Sequence, residues 1–570
     1  MFFTAIHMSS FHINKTLQRF IKYGLALLLF IFLFFLILVN RYFEPVLQNR
    51  LHTLIVQGSD SLYQYKLGKL NANFFGGDVE VENLHIWIDS SHYKIQEQRG
   101  LLPPLTMELH LVSGHIKGVA LLPLLFDKRI MVKEIRSKDA DVKLSRHIRN
   151  TIDIDTTVAD IPIWKAIQPN IRSITVGRIN LDGIKLLYKD ADTSESVKLQ
   201  FDRCVAMFHD IKIDSAAAMD TSRIGFTKSI AMRFEDLKFR TPDSMYKMKA
   251  KLITYSSDNR SLQVKEFKLQ PTLDEDAFYK VVGVQRSRYT ILFDDVRFTN
   301  FRLERFLHNN EILADSVLFQ NPDAVIYNDR TYPPDIESKI GKSPQQQLLK
   351  ANPIIAIKGI AVQNVNLTYT EKNDKTLQEG ILSLRDMKVT IANVTNSPKL
   401  IAQNPICTAH MEGHILNSSP INATFKFYLD SLDGRFDASG TVKDVSAEQL
   451  NELSVPLANV KLQSFNMHQV NFNIRGDDFS ASGQVHMLYD NLSVILQKTN
   501  EETGDVKTKK FLTKIINKFT LWSSNPEKGT VRTADHVMVA RVSSKSFFGL
   551  VWNTIFSGMQ DIMTKGFRYQ

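Results

Sequence analysis

The run from Tyr23 to Val39, YGLALLLFIFLFFLILV, decides which solvent the rest of the chain lives in. Counted from Phe20 it covers 20 positions, about 30 Å of helix, which is enough to cross a bilayer. Its one charge, Lys22, lies near the end, where an ammonium snorkels to the headgroups. Leu25, Leu28, Phe30, Phe34, Leu36 and Val39 are the expected anchor residues within this 23–39 span. Residues 1–22 carry Lys15, Arg19 and Lys22 and no acid, whereas Arg41 and Arg50 on the far side are accompanied by Glu44. That bias places residues 1–22 in the cytoplasm and everything after about Asn40 outside it. A cleaved secretory signal shares the charge order but has a shorter apolar core and a small-x-small site, and NRYFEPVLQNR offers none. A core helix this near the N-terminus would rarely be apolar on every face.

The 570 residues leave room beyond the anchor for two to four ordinary domains or one long repetitive structure. A formal charge of +10 suggests a polyanion partner, but the excess is local. From Lys507 to Gln570 there are 11 Lys+Arg and 3 Asp+Glu, so this tail supplies 11 − 3 = +8 and the body is nearly neutral. Such a distribution argues for a terminal contact and against nucleic acid. Cys204 and Cys407 have no spacing that implies a disulfide framework, and two unrelated buried thiols is the plainer reading.

After the anchor, Glu44-Pro45 and the helical spacing of Val46, Leu47, Leu51, Leu54, Ile55 and Leu62 predict an amphipathic helix over 40–65. The period then becomes two. YKLGKLNANFFGGDVEVENLHIWID reads as a hairpin turning at Gly76-Gly77-Asp78, with a parity shift at Asn83 between Val79/Val81 and Leu84/Ile86/Ile88. Leu121 to Phe126 is a short apolar turn of helix between strands.

A β unit recurs from near 132, 171, 314, 357 and 457. Ile171-Arg-Ser-Ile174-Thr-Val176-Gly-Arg-Ile179-Asn-Leu181 and Ile357-Lys-Gly-Ile360-Ala-Val362-Gln-Asn-Val365-Asn-Leu367 match position for position. Apolar residues alternate, slip by one across a kink and alternate again, as two strand segments joined by a bulge require if one face stays buried. The unequal intervals exclude a fixed-period solenoid. The polar, proline-bearing stretch 331–352 is the expected linker between β-rich regions at 66–330 and 353–497, and 498–570 is a basic amphipathic tail. Helical patterns such as Phe301 to Leu313, and Ser446 to Leu453 with Ser446 as a cap, are too few and short to cover both faces of such a sheet.

The anchor, LGKLNANFFGGDVEVENLHI, the block GHIKGVALLPLLFDKRIMVKEIRSKDADVKLSR, and the later FDASGTVKDVS and ASGQVHMLYDNLSVIL together resemble the AsmA-like family of diderm bacterial envelope proteins, whose wider group includes TamB-type and bridge-like lipid-transfer proteins. The resemblance covers about half the chain, and residues 190–310 depart from it. It implies a mainly β, elongated, repeat-built groove or sandwich, anchored in the bacterial inner membrane with its bulk in the periplasm. It also implies an apolar groove for phospholipid and a role in lipid movement between membranes or in outer-membrane homeostasis. Ile174, Val176, Ile360 and Val362 are the candidate groove lining.

Patterns that resemble catalytic motifs fail on inspection. His410-Met-Glu-Gly-His414 misplaces the glutamate of a zinc-protease helix, Gly341-Lys342-Ser343 lacks the first glycine of a phosphate loop, and the adjacent pairs Asp294-Asp295 and Asp477-Asp478 suit turns. The expectation is a non-enzymatic protein without cofactor or metal. A membrane-anchored structural or adhesion protein of closed β-sandwiches, with no lipid cargo, is the alternative. In the tail, Phe548, Val551, Trp552, Ile555, Phe556, Met559, Ile562 and Met563 form one helical stripe. It either caps the sheet or touches a second membrane or an outer-membrane protein, with Trp552 and Phe556 the candidate contacts.

Overall fold

The computed structural model describes residues 52, 55–73, 77–103, 105–147, 164–165, 171–190, 197–241, 243–499 and 506–566. The expected cytoplasmic segment 1–22, the anchor at 23–39 and most of the 40–65 helix lie outside them. No helix among the described residues is long and apolar enough to cross a membrane. The chain is mainly β, with a mixed sheet and few helices. It divides into two compact units. The N-terminal unit runs to Phe267 and also holds Asn300–Asn309, and the C-terminal unit comprises Lys268–Thr299 and everything from Asn310.

In the N-terminal unit the hairpin is β1 (Tyr63–Asn73) against β2 (Asp78–Ile88), so the chain is already extended two residues before the expected helix ends. Asn83 has φ 53°, the left-handed conformation that Asn tolerates better than most residues. That single residue returns Leu84 and Ile86 to the buried side taken earlier by Val79 and Val81. Next come β3 (Leu105–Val119), a helix α1 (Leu121–Asp127), β4 (Arg129–Arg146) and β5 (Ser173–Asp190). They are followed by β6 (Val197–Ile213), β7 (Thr227–Arg240) and β8 (Tyr246–Ser256). All neighbours are antiparallel except β4 and β5, which run parallel.

The repeated unit at 132, 171 and 357 is therefore a long kinked strand, whereas the copy at 314 divides into two strands, Glu311–Gln320 and Asp323–Asp329. Parallel pairing accounts for the match between the copies at 132 and 171, because Val132, Ile135 and Ala140 of β4 lie beside Val176, Ile179 and Ile184 of β5 in one register. Asp139 (φ 54°) and Gly183 (φ 69°) supply the kinks. A Cβ on Gly183 would come 2.2 Å from the Asp139 carboxylate, so the two kinks nest.

The C-terminal unit repeats this arrangement. Strand β9 (Ser261–Pro271) contains the division, and β10 (Arg288–Thr299) pairs antiparallel with β11 (Glu311–Gln320) and β12 (Asp323–Asp329). Both β11 and β12 run parallel to β13 (Ile354–Lys372), placing Val317 and Phe319 beside Ile360 and Val362. A meander follows through β14 (Glu379–Thr395), β15 (Ile406–Ile415), β16 (Ser419–Tyr428), β17 (Phe436–Ser446), β18 (Val460–Gly476) and β19 (Ser480–Thr499). Strand β20 (Val506–Thr508) and β21 (Thr533–Ala540) both pair with β19.

Residues 331–352, the expected linker, lie within the C-terminal unit rather than at its boundary, and part of them forms helix α2 (Pro344–Leu349), with Ser343, Gln345 and Gln346 buried. Gln345 donates to the Gly434 carbonyl at 2.7 Å and Gln346 to the Leu432 carbonyl at 2.9 Å. A polar segment is buried here because carbonyls of the turn between β16 and β17 accept its donors. At Phe301 to Leu313 the expected helix shortens to α3 (Leu303–Asn309), with β11 starting at Glu311. Ser446 does cap a helix, α4 (Ala447–Ala458), through a reciprocal box with Gln449. The tail holds a helical turn α5 (Lys510–Ile515) and a long helix α6 (Phe547–Met563).

Candidate functional site

Cross-strand register places apolar side chains in rows, since directly opposed residues share a face. In the N-terminal unit one row is Ile184, Cys204, Phe234 and Ile253, and another is Tyr188, Leu199, Phe239 and Met248. The intervening row sets Arg203 against Glu235, and Arg203 donates to Asp182 at 2.7 Å. Phe234, Phe239, Met248 and Ile253 are only half-buried. Phe201 packs on Phe234 with ring centroids 5.0 Å apart. This half-buried apolar surface lies within residues 190–310, which carry none of the resemblance set out above, and it was not among the expected lining residues. Its signal is visible in SIAMRFEDLKFR, where charged and apolar residues alternate.

Ile174 and Val176 sit differently. They are 1% and 0% exposed, between Ile130 and Ile213 and between Val132 and Ile211 respectively. Protein alone covers them, so they belong to a closed core and line no open groove.

In the C-terminal unit one row crosses nine strands: Val317, Ile360, Ile391, Ala409, Phe425, Ala438, Ile474, Gly483 and Val537. Its two halves meet different surroundings. From Phe425 onward helix α6 lies over it, with Phe547 4.7 Å from Phe436 and 6.3 Å from Phe425 between ring centroids. Ala438, Ile474 and Val537 are buried there. Ile360, Ile391 and Ala409, and in the adjoining row Val389 and Met411, stay half-buried. Val362 is 7% exposed and packs with Val365 and Met387. Of the four nominated lining residues, Ile360 alone sits on the more open surface.

Helix α6 is amphipathic, but its inward face is rotated from the expected stripe. Phe547, Leu550, Val551, Thr554, Gly558 and Ile562 are buried, with Trp552 53% and Phe556 41% exposed. Those two rings stack at 5.9 Å on the outer side. The helix therefore caps the sheet and still presents Trp552 and Phe556 to the outside.

The motif-like residues have structural partners. Gly341 N–H donates to Asp478, Ser343 caps α2, and Lys342 pairs with Glu337. His410 bonds the Thr424 hydroxyl, and His414 lies 3.9 Å from Asp386. Asp477 makes the turn into β19 expected of it, but Asp478 is held 2.8 Å from Arg541 with both side chains buried. Burial pushes the thiols of Cys204 and Cys407 up to about 12. No protein-family model matches the chain, and no curated protein matches it significantly.

Proposed function

We propose that the half-buried apolar rows hold acyl chains and that this is a non-enzymatic envelope protein of AsmA-like type. In this reading residues 23–39 anchor it in the bacterial inner membrane, residues 1–22 are cytoplasmic, and the β body in the periplasm moves or shelters phospholipid. The carrying observation is the surface of β6 to β8, where Phe234, Phe239, Met248 and Ile253 stay half-buried while Arg203 and Glu235 in the intervening row form ion pairs with Asp182 and Arg233. Contiguous apolar surface of this kind calls for a cover. Acyl chains match it because they need no hydrogen-bond partners. Native mass spectrometry of the detergent-extracted full-length protein is the test, with co-purifying phospholipid expected. Protein that is repeatedly lipid-free, from extraction that leaves other lipid carriers loaded, overturns the reading. A second reading, a membrane-anchored structural protein, draws on the sealed row at Ile174 and Val176, and it expects that lipid-free result.

A further inference from the structure

The helical turn Lys510–Ile515, continued as a wider π turn over Ile516–Thr520, faces the wrong way. Its polar side chains point inward: Leu496 N–H donates to the Thr513 hydroxyl at 3.0 Å, and Asn517 accepts from Val494 N–H at 2.9 Å and donates to Val494 C=O at 2.7 Å. These bonds satisfy the free edge of β19. Phe511, Lys514, Lys518 and Phe519, by contrast, are exposed to solvent. Phe511 is 76%, Leu512 47% and Phe519 62% exposed, and Lys510, Lys514 and Lys518 are exposed among them. A helix that covers a core shows the reverse arrangement.

The segment is also fixed at its far end. Trp522 N–H donates to the Met563 carbonyl at 2.8 Å, Leu521 bridges Thr564, and the cations of Arg532 and Lys565 lie 4.5 and 5.0 Å from the centre of the Trp522 ring. The outward phenylalanines are thus carried on a braced element.

We infer that this turn docks on an anionic bilayer surface, with Phe511, Leu512 and Phe519 entering the headgroup boundary and Lys510, Lys514 and Lys518 meeting lipid phosphates. Between Val506 and Pro526 the chain has five lysines and no acid, which gives the charge complementarity. A nucleic acid or acidic protein accounts for the lysines but leaves the phenylalanines in water. A second copy buries the phenylalanines but sets lysine against lysine, because a two-fold contact pairs a patch with itself. The inference does not depend on lipid occupying the apolar rows.

The test uses the full-length protein in zwitterionic nanodiscs, with an environment-sensitive fluorophore on Leu512→Cys. Cys204 and Cys407 are buried, which confines the label to that site. Phosphatidylcholine vesicles containing phosphatidylglycerol should raise and blue-shift the emission severalfold, and pure phosphatidylcholine vesicles should not. Changing Lys510, Lys514 and Lys518 to Glu should abolish the response, and Phe511→Ser with Phe519→Ser should greatly reduce it, both with unchanged circular dichroism. Silence at Leu512→Cys, or an equal response from the same label on the exposed Glu412→Cys, overturns the proposal. A rise that tracks protein concentration without vesicles, or one reproduced by a soluble polyanion, assigns the surface to a second copy or an acidic macromolecule and overturns it equally.

Discussion

Gly558 of the tail helix rests directly on Val485 of β19, so closely that a Cβ at Gly558 would fall 2.6 Å from the valine Cβ. The same added atom would lie 3.0 Å from Val537. The glycine lets helix and sheet approach, and the approach seals one half of the nine-strand row. Gly558→Leu should lift α6, cost about 1–3 kcal/mol by overpacking and expose Ile474 and Val537. Lower thermal stability together with increased binding of a hydrophobic dye is the expected result. An unchanged melting temperature would show that the helix seats elsewhere.

Charges placed on the two kinds of row should separate core from open surface. Val176→Asp buries an unpaired carboxylate at a position of 0% exposure and should unfold its unit, at a cost of several kcal/mol. Ile360→Asp or Phe239→Asp, at half-buried positions, should leave β circular dichroism largely intact and reduce bound phospholipid. Quantifying lipid per folded protein distinguishes these outcomes.

Arg541 also bonds the Lys339 carbonyl at 3.0 Å, so its pair with Asp478 ties residues 331–352 to the turn between β18 and β19. Arg541→Met leaves Asp478 buried without its counter-ion and should destabilise by about 3–5 kcal/mol. Adding Asp478→Leu should restore only part of that, since Gln346 and the Gly341 N–H also donate to this carboxylate. Denaturant melts of the two single variants and the double measure the coupling.

Glu134 accepts from Arg136 at 2.8 Å and from the Asn180 amide at 3.0 Å. The Arg136 hydrogen bond, helped by the charges of Arg136 and Arg178, holds its carboxyl below the ordinary 4.5 against the opposing effect of burial. A depressed folded-state pKa contributes stability above the unfolded value, and that stability is lost as pH falls through the folded one. Glu134→Gln should therefore be less stable than the native protein at pH 7, and the gap should narrow as pH falls below the ordinary glutamate value and through the depressed folded-state one. Parallel melts across that range check it.

With both thiols pushed up to about 12 by burial, Cys204 and Cys407 should resist a maleimide at pH 8 in the folded protein and react fully in denaturant. Mass spectrometry before and after unfolding reads this directly.

Much of the β architecture was legible along the chain because its signals are local. The shift at Asn83 shows as a break in alternation, and its left-handed φ is a property of one residue. The repeated unit was visible for the same reason, and so was the box at Ser446, where cap and partner stand three residues apart. The linker at 331–352 was misread because polarity and proline look alike in a loop and in a cap. What lets Gln346 be buried is that its amide donates to the Leu432 carbonyl and to the carboxylate of Asp478, 132 positions away.

By itself the sequence determined that this chain forms kinked strands with one apolar face, that an uncharged apolar run from Tyr23 to Val39 precedes them, and that positive charge gathers in the tail. Each of these depends on residue type and short spacing alone. Tertiary structure decided which apolar residues are sealed and which remain open. Ile174 and Ile360 occupy similar places in the repeat, yet one is closed in by neighbours and the other is not. It also decided that the tail helix caps with Phe547 and Gly558 while leaving Trp552 outside. Periodicity finds an apolar face, but exposure depends on what packs over it, and in this protein the covering residues often lie far away in the chain.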